Sequence, residues 1–156
     1  EDINLSDFFS GIEDEFLEKI NEKGIILNRQ DMPPQLTIKT DSRLFHIIVS
    51  NLVSNAVKYL GEKGNLAISY ELKDKSLEIV IADDGIGIPE EELGRLFAKF
   101  FRASNAQSHQ TEGTGLGLYI VKQSVEQLGG SITVDSAENE GARFVVVVPA
   151  SVVSVG

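Results

Sequence analysis

The sequence predicts an α+β fold in which helices cover one face of a mixed β-sheet. Segments with apolar residues at three- and four-residue steps, typical of amphipathic helices, recur along the chain. Between them lie segments in which apolar and polar residues alternate, as in half-buried strands. The resulting order is helix, strands, helix, strands, helix, strands, and helices in such an order bury their apolar sides against one face of the sheet.

The first predicted helix covers residues 6–23, where acidic residues separate the apolar positions. Gly24 ends it. Two short strands are predicted at residues 25–27 and 36–40, on either side of the Pro33–Pro34 turn.

A second helix is predicted from the N-cap Asp41 to about Leu60, with Gly61 as its stop. At 100° per residue, six apolar side chains share one broad arc that we interpret as the core face. These residues are Phe45, Val49, Leu52, Val53, Ala56 and Leu60.

The second half of the chain predicts a hairpin of residues 66–72 and 77–81, since apolar and polar residues alternate in both segments. The elements expected after it are a glycine-rich turn at 83–89, a short helix from Glu90, a mobile polar loop at 103–112, a helix at 115–128, a hairpin of 131–135 and 142–148, and a frayed tail from Ala150.

Composition and charge limit the possible functions. A chain of 156 residues is long enough for one domain with a sizeable core. Twenty-four acidic residues against 14 Lys and Arg give a net charge of −10, which disfavours nucleic acid or an anionic membrane as the main partner. A phosphorylated ligand still fits a locally positive pocket. Because the chain has no cysteine, disulfides, thiolate metal sites and a cysteine nucleophile are excluded.

Further features bear on the cellular context. The longest purely apolar run, residues 144–148, is far shorter than a membrane span, and no leader pattern opens the chain. The first residue is Glu1. We therefore expect a cytoplasmic domain cut from a longer protein, whose membrane anchorage the sequence leaves open.

The second predicted helix carries a polar stripe opposite its core face. Asn51, Asn55 and Lys58 lie about one turn apart, so two amides and an ammonium group share one side. A polar stripe is usually a solvated face, but asparagine is a poor helix former. The stripe therefore fits a ligand site as well as a solvated face, with amide oxygens for hydrated Mg²⁺ and a lysine for phosphate.

A glycine-rich segment, Asp-Asp-Gly-Ile-Gly-Ile, occupies residues 83–88. Its glycines permit tight turns and the close approach of a flat ligand. Asp83, at a strand end in a pocket walled by isoleucine, could accept a hydrogen bond from an exocyclic amine. A plain Asp-Gly turn explains the same residues. A calcium loop does not, because the alternating acids and closing glutamate of an EF-hand are missing.

Two further segments lie on either side of the predicted polar loop. Residues 113–118, Gly-Thr-Gly-Leu-Gly-Leu, precede a helix, where backbone N–H groups favour an anion. Their spacing matches neither the dinucleotide fingerprint nor a P-loop. Residues 96–102, Leu-Phe-Ala-Lys-Phe-Phe-Arg, place three phenylalanines beside two cations. The phenylalanines anchor the loop, and Arg102 could in addition reach a terminal phosphate.

Together these segments resemble a known family. The stretches N-L-V-x-N-A-V-K-Y (51–59), D-x-G-I-G-I (83–88), L-F-x-x-F-F-R (96–102) and G-T-G-L-G-L (113–118) are similar, in this order, to the N, G1, F and G2 boxes of sensor histidine kinases. The resemblance is to their catalytic and ATP-binding domain, of the GHKL superfamily. It implies a two-layer α/β sandwich over residues 1–150, with a mixed sheet of about five strands backed by three helices. A flexible ATP lid and a C-terminal tail at 151–156 complete the expected domain.

ATP and Mg²⁺ are the ligands that this resemblance implies. Asn55 would be the Mg²⁺ ligand, with Asn51 assisting around the metal and phosphates. Lys58 and Tyr59 would face the phosphates and the ribose. Asp83 would bind the adenine amino group.

The resemblance also assigns the remaining residues of the site. Gly85, Gly87 and Ile88 would shape the floor and wall of the adenine pocket. Arg102 would stabilise charge on the transferring γ-phosphoryl group, which makes it, with Asn51 and Lys58, the expected catalytic set. The lid would be residues 103–112, hinged at Gly113 and Gly115, whose backbone meets the phosphates. The cofactor-binding residues of this segment would be Gly113, Thr114, Gly115, Leu116, Gly117 and Leu118.

The expected partners follow from the same resemblance. The phosphoacceptor would be a histidine on a separate helical dimerisation domain, with a response regulator downstream. No nucleic-acid partner is expected, and the isolated domain is expected to be a monomer. His46 and His109 both lack the acidic residue that follows an acceptor histidine, so we interpret them as bystanders.

Other classes of the superfamily offer alternatives. Anti-sigma protein-serine kinases share much of the pocket, and an interaction module could keep the fold without binding nucleotide. The conformational ATPases carry a catalytic glutamate one turn before the Mg²⁺ ligand, where this chain has Asn51, which cannot act as a base. Asp84 stands where the family often has asparagine, and we expect it to add negative charge near the nucleotide.

Overall fold

The computed structural model describes residues 1–61, 63–99, 101–104 and 117–154. These segments contain the α-helices α1 (Leu5–Lys23), α2 (Ser42–Tyr59) and α3 (Gly117–Leu128), and a 3₁₀ helix (Glu90–Arg95). The strands are β1 (Asp2–Asn4), β2 (Ile26–Arg29), β3 (Thr37–Lys39), β4 (Asn65–Leu72), β5 (Ser76–Asp83), β6 (Ser131–Ser136), β7 (Ala142–Pro149) and β8 (Ser151–Ser154). Within the described segments, no helix has the length and apolar character that crossing a membrane requires.

The main sheet has five strands in the order β2-β4-β5-β7-β6. It is mixed, because β2 pairs in parallel with β4 whereas the other neighbours are antiparallel. On the central strand β5, Leu77, Ile79 and Ile81 are buried where α2 packs, and α3 packs on β6 and β7. The predicted α+β fold, with helices on one face of a mixed five-stranded sheet, is confirmed.

A second sheet, of three strands in the order β1-β3-β8, was not predicted. The expected strand at 36–40 exists as β3 but belongs to this sheet, and residues 151–154 form β8 instead of a frayed tail. That expectation was wrong because strands of three or four residues are too short to show a period-2 pattern. Their pairing partners are also distant in the chain, with Ile38 beside Val152.

Helix α2, which carries the polar stripe, begins where the sequence predicts. The Asp41 side chain caps it, with Oδ1 accepting a hydrogen bond from the Leu44 N–H at 3.0 Å. All six residues of its predicted core face are buried. The last helical residue is Tyr59, and the extended residue Leu60 caps the helix, so Gly61 is not the stop. The burial of one face fixes the opposite, polar face toward the space described below.

Of the predicted lid, residues 105–112 lie outside the described residues, as do Gly113, Thr114, Gly115 and Leu116. Ala103 and Ser104, which begin the predicted lid, and Gly117, which begins α3, are described.

Candidate functional site

A cavity lies between the polar face of α2, the glycine-rich segment after β5, residues 101–103 and the start of α3. Ten of the predicted site residues line it, and they come from four separate segments of the chain. They are Asn51, Asn55, Lys58, Tyr59, Asp83, Gly87, Ile88, Arg102, Gly117 and Leu118. Residues of the 83–88 segment and of the stripe on α2 therefore line the same cavity.

The α2 wall of the cavity carries amide and ammonium groups. The Asn51 Nδ2 group donates a hydrogen bond to the Ile47 carbonyl at 2.7 Å, one turn back in the helix. Its Oδ1 atom is directed toward α3, because a β-carbon placed on Gly117 would lie 3.5 Å from it. An amide held in this way presents its oxygen to the cavity, which is the atom a hard cation or its water requires.

Ser54 also lines the α2 wall and was missed by the sequence analysis. It lies three residues after Asn51 and four before Lys58, so helical periodicity places it on the same stripe. The spacing could have found it.

Asp83 lines the cavity from the end of β5. Its Oδ1 accepts a hydrogen bond from the Gly85 N–H at 2.9 Å. Burial raises the pKa of Asp83 to about 6, a shift that hydrogen bonds from the Gly85 and Ala142 backbones oppose and that the nearby Asp84 charge reinforces. A half-buried carboxylate fixed by backbone N–H groups is suited to one specific hydrogen bond from a ligand.

Two glycines let this segment fit between α2 and the turn that joins β6 to β7. Gly87 has φ +69°, and a β-carbon there would lie 2.0 Å from the Ala137 carbonyl oxygen. A β-carbon on Gly85 would lie 2.5 Å from the Tyr59 carbonyl oxygen. Gly85 itself does not line the cavity. It contributes through its backbone, which approaches α2 more closely than any side chain would permit.

The β6–β7 turn supports the glycine-rich segment, and the sequence analysis gave it no role. The Ser136 Oγ atom accepts a hydrogen bond from the Ile88 N–H at 2.9 Å and donates one to the Gly141 carbonyl at 2.5 Å. The Asn139 N–H donates to the Ile86 carbonyl at 2.6 Å. The contacts with Ile88 and Ile86 join positions about fifty residues apart in the chain, so no local pattern in the sequence predicts them.

Asp84, which we expect to add negative charge near the nucleotide, adjoins Asp83 but does not itself line the cavity. It is exposed and accepts hydrogen bonds from the Asn65 N–H and Nδ2 groups, both at 2.8 Å. These bonds lower the pKa of Asp84. Its effect on the site is confined to a small contribution to the raised pKa of Asp83.

The phenylalanine-rich segment closes the third side. Leu96 and Phe101 line the cavity together with Arg102. Phe97 packs edge-to-face on Phe144 of β7 at a centroid distance of 6.4 Å. Two of the three phenylalanines of this segment, Phe97 and Phe101, are thus packed here, whereas Phe100 lies outside the described residues.

His46 takes no part in this site. Its Nε2 atom lies 2.5 Å from Oε1 of Glu15, on the exposed outer side of α1 and α2. His109 lies outside the described residues.

Among the residues that the structure describes, no group of three histidine, aspartate or glutamate side chains could hold a metal ion. The oxygen donors on the α2 residues that line the cavity are the amides of Asn51 and Asn55 and the hydroxyls of Ser54 and Tyr59. These neutral donors suit a cation that keeps part of its hydration shell and takes its charged ligands from phosphate. Asn51 and Asn55 therefore fit Mg²⁺ that arrives with a nucleotide.

Comparison with known proteins agrees with this geometry. A family model described as "Histidine kinase-, DNA gyrase B-, and HSP90-like ATPase" matches residues 40–152. The chain is 32% identical over 151 residues to the sensor histidine kinase AtsR of Burkholderia thailandensis, a match that covers 94% of this chain and 25% of that protein. It thus spans about a quarter of the length of the curated relatives it matches.

Solved structures give the same result for the fold. The nucleotide-free catalytic domain of histidine kinase ThkA aligns with a TM-score of 0.81 and 29% identity, covering 96% of each chain. ThkA in complex with the response regulator protein TrrA aligns with a TM-score of 0.77 and 25% identity, over 96% of this chain and 41% of that chain. Since the family model spans well over half of the chain, this protein belongs to the histidine kinase-, DNA gyrase B- and HSP90-like ATPases, and the ligand of such a domain is ATP.

Proposed function

We propose that this chain is the catalytic and ATP-binding domain of a sensor histidine kinase, which binds ATP with Mg²⁺ and supplies its γ-phosphoryl group to a histidine on a separate dimerisation domain. The observation that carries the proposal is that Asn51, Asn55 and Lys58 of α2 line the same cavity as Asp83 at the end of β5. A nucleotide needs this division, with hydrogen-bond acceptors for the base on one wall and metal and phosphate ligands on the other.

Each wall then has a defined task. The Asp83 carboxylate accepts a hydrogen bond from the adenine amino group, and Ile88 packs against the ring. Lys58 and Tyr59, at the end of α2, face the phosphates and the ribose. Asn55, assisted by Asn51, holds Mg²⁺, which neutralises charge on the phosphates.

Phosphoryl transfer itself needs positioning and charge stabilisation from the protein. An imidazole nitrogen of the acceptor attacks the γ-phosphorus, the bond to the bridging oxygen breaks, and ADP leaves with that electron pair. The proton on the other imidazole nitrogen is then released. Arg102 and Lys58 stabilise the charge on the transferring group, and the glycine-rich sequence 113–118 is the further phosphate-binding segment that the resemblance implies.

Asn51 favours a kinase over a hydrolytic ATPase. Its amide nitrogen is already bonded to the Ile47 carbonyl, and an amide cannot take a proton from water at neutral pH. Water activation by this position is therefore excluded, whereas transfer to an external acceptor needs no base there.

We further propose the partners and setting of the parent protein. A helical domain carries the acceptor histidine, and a response regulator receives the phosphoryl group, as the complex of ThkA with TrrA suggests for that kinase. The domain works in the cytoplasm, where its ATP is found, and is a monomer by itself. It extends from residue 1 through β8, somewhat beyond the boundary at residue 150 that the resemblance implies.

The proposal is tested by titrating the chain with a fluorescent ATP analogue, with and without Mg²⁺, and competing with ATP and GTP. We expect saturable binding that depends on Mg²⁺ and that ATP displaces far better than GTP. Transfer of labelled phosphate to a separately supplied dimerisation domain is then measured by acid-labile labelling. Absence of binding at millimolar nucleotide would contradict the proposed function, and binding without transfer would contradict the kinase activity.

A further inference from the structure

Glu92 is one of only two buried polar side chains among the described residues, and the reaction proposed above gives it no role. It lies on the 3₁₀ helix and is 8% exposed. Its Oε1 atom accepts a hydrogen bond from the Ser104 N–H at 2.9 Å, and its Oε2 atom accepts one from the Ser104 hydroxyl at 2.7 Å. These two bonds are the main reason that the pKa of Glu92 is lowered, so the side chain is a carboxylate at neutral pH.

A second contact joins the same 3₁₀ helix to the same short segment. The guanidinium carbon of Arg95 lies 5.2 Å from the centre of the Phe101 ring, within the range of a cation–π contact. Residues 101 and 104 are therefore both attached to the 3₁₀ helix, one by a stacked cation and the other by two charge-assisted hydrogen bonds.

The two residues between these attachments, Arg102 and Ala103, line the cavity. Consecutive Cα atoms are only about 3.8 Å apart, so a segment of four residues held at both ends leaves the backbone between them little freedom. The 3₁₀ helix therefore fixes the position of the Arg102 backbone. Neither Glu92 nor Arg95 of that helix lines the cavity itself.

We infer that Glu92 is a positioning residue, which holds Ser104 so that Arg102 is presented to the terminal phosphate of the bound nucleotide. The inference rests on the proposed function, because it assumes that the cavity binds ATP. It follows that losing the Glu92 contact weakens the interaction that distinguishes ATP from ADP, since Arg102 acts on the phosphate that only ATP carries.

The test compares the ratio of the ADP and ATP dissociation constants in the 156-residue chain carrying Glu92→Gln, Ser104→Ala or Arg102→Ala. The readout is displacement of a fluorescent ATP analogue. Glutamine keeps the size of the side chain but has one acceptor oxygen where the carboxylate uses two. We expect the preference for ATP to fall by about threefold to tenfold in Glu92→Gln, and by less in Ser104→Ala, which keeps the backbone N–H bond. Glu91→Gln, an exposed neighbour on the same helix, is the matched control and should leave the ratio unchanged.

The double variant Glu92→Gln/Arg102→Ala completes the cycle. If Glu92 acts through Arg102, the double variant has the same ratio as Arg102→Ala alone. An unchanged ratio in both Glu92→Gln and Ser104→Ala, with or without a lower melting temperature, would overturn the inference and leave Glu92 a purely structural residue. Failure of the wild-type chain to bind ATP would instead overturn the proposed function, so the two failures are distinguishable.

Discussion

At the scale of single residues, Asp83 combines burial with the role in recognising the base that we propose for it. Its pKa of about 6 means that the side chain changes from hydrogen-bond acceptor to donor near physiological pH. The ionised form accepts from the 6-amino group of adenine and repels the 6-oxo group of guanine. The protonated form can donate to that oxo group.

We therefore expect the preference of the chain for ATP over GTP to fall as pH is lowered through about 6. In Asp83→Asn the preference should be smaller by about tenfold and independent of pH, since a charged hydrogen bond is lost. Competition titrations between pH 5 and 8 measure this preference for ATP over GTP in both proteins. The triphosphate, which both nucleotides share, is the internal control. A wild-type preference that is constant over this range would contradict the role given to Asp83.

The stability of the fold provides an independent check on the same pKa. Because the folded chain holds the Asp83 proton more tightly than the unfolded chain does, the free energy of unfolding falls as pH rises from 3.8 to about 6. The raised pKa of Asp83 contributes at most about 3 kcal/mol to the free energy of unfolding at low pH. Urea unfolding of Asp83→Asn should lack this component of the pH dependence.

Asn55 is the residue on which the metal assignment depends. Asn55→Ala should abolish the part of ATP affinity that Mg²⁺ adds, because it removes an amide oxygen from the α2 wall. The measurement is the ATP dissociation constant with Mg²⁺ and with EDTA. Ser50→Ala, on the same helix but outside the cavity lining, is the control. Equal Mg²⁺ dependence in Asn55→Ala and the wild type would contradict the assignment.

At the scale of elements, the C-terminal end of α2 is held by α1. The Lys23 Nζ group donates hydrogen bonds to the carbonyls of Val57, Lys58 and Leu60, at 2.6, 3.2 and 3.2 Å. A helix leaves its last carbonyls without partners within the helix, and a cation there also interacts favourably with the helix dipole. Burial and the neighbouring Lys19 lower the pKa of Lys23. This lysine thus supports the turn that carries two of the proposed nucleotide contacts.

Lys23→Ala should lower the free energy of unfolding by about 1–2 kcal/mol, because three carbonyls, two of them part-buried, lose a charged donor. It should also weaken ATP binding, since the last turn of α2 presents Lys58 and Tyr59. Urea unfolding and nucleotide titration measure the two effects. Lys19→Ala, an exposed lysine one turn earlier on α1, should change neither. The same stability in both variants would show that these three hydrogen bonds contribute nothing.

At the scale of the whole molecule, the three-stranded sheet joins the two ends of the described chain through β3. Ile38, in the middle of that strand, is fully buried. Deleting residues 151–156 removes β8 and leaves one edge of β3 without its hydrogen-bond partner. We expect a loss of about 1–3 kcal/mol in the free energy of unfolding.

The affinity for ATP should be little affected by the deletion, because none of the residues in the described part of this sheet lines the cavity. Val153→Ser changes an exposed side chain and keeps the backbone pairing, so it is the control for the stability measurement. A deleted chain as stable as the full one would mean that β8 is not an integral strand.

Periodicity and capping predicted the main sheet and α2 because these elements are long and their signals are local. Asp41 and the six core residues of α2 act within one helix, and the β4–β5 hairpin pairs neighbours in the chain. The same helical spacing, with glycines and an aspartate at a strand end, indicated both walls of the site. The family match then agreed with the resemblance carried by these motifs.

What the sequence missed depends on contacts between distant residues. Three such contacts are the hydrogen bond between Ser136 and Ile88, the hydrogen bonds from Lys23 to the end of α2, and the pairing of β8 with β3. Each joins positions far apart in the chain. No pattern in a short window contains such a pair. Glu92 illustrates the same point, because in the sequence it is one of three consecutive glutamates and only the fold buries it.

The arrangement of β1, β3 and β8 has a mechanical consequence. Both outer strands run antiparallel to β3, so they run parallel to each other, with Asp2 and Ser151 near Lys39 and with Asn4 and Ser154 near Thr37. A pulling force between residues 1 and 154 would therefore act along the strands, at right angles to the hydrogen bonds that join them. Such a load shears all the bonds of this sheet together instead of peeling them apart one by one. The three-stranded sheet should therefore carry a load applied between residues 1 and 154, and the five-stranded sheet and the cavity should be disturbed only after the three-stranded sheet gives way.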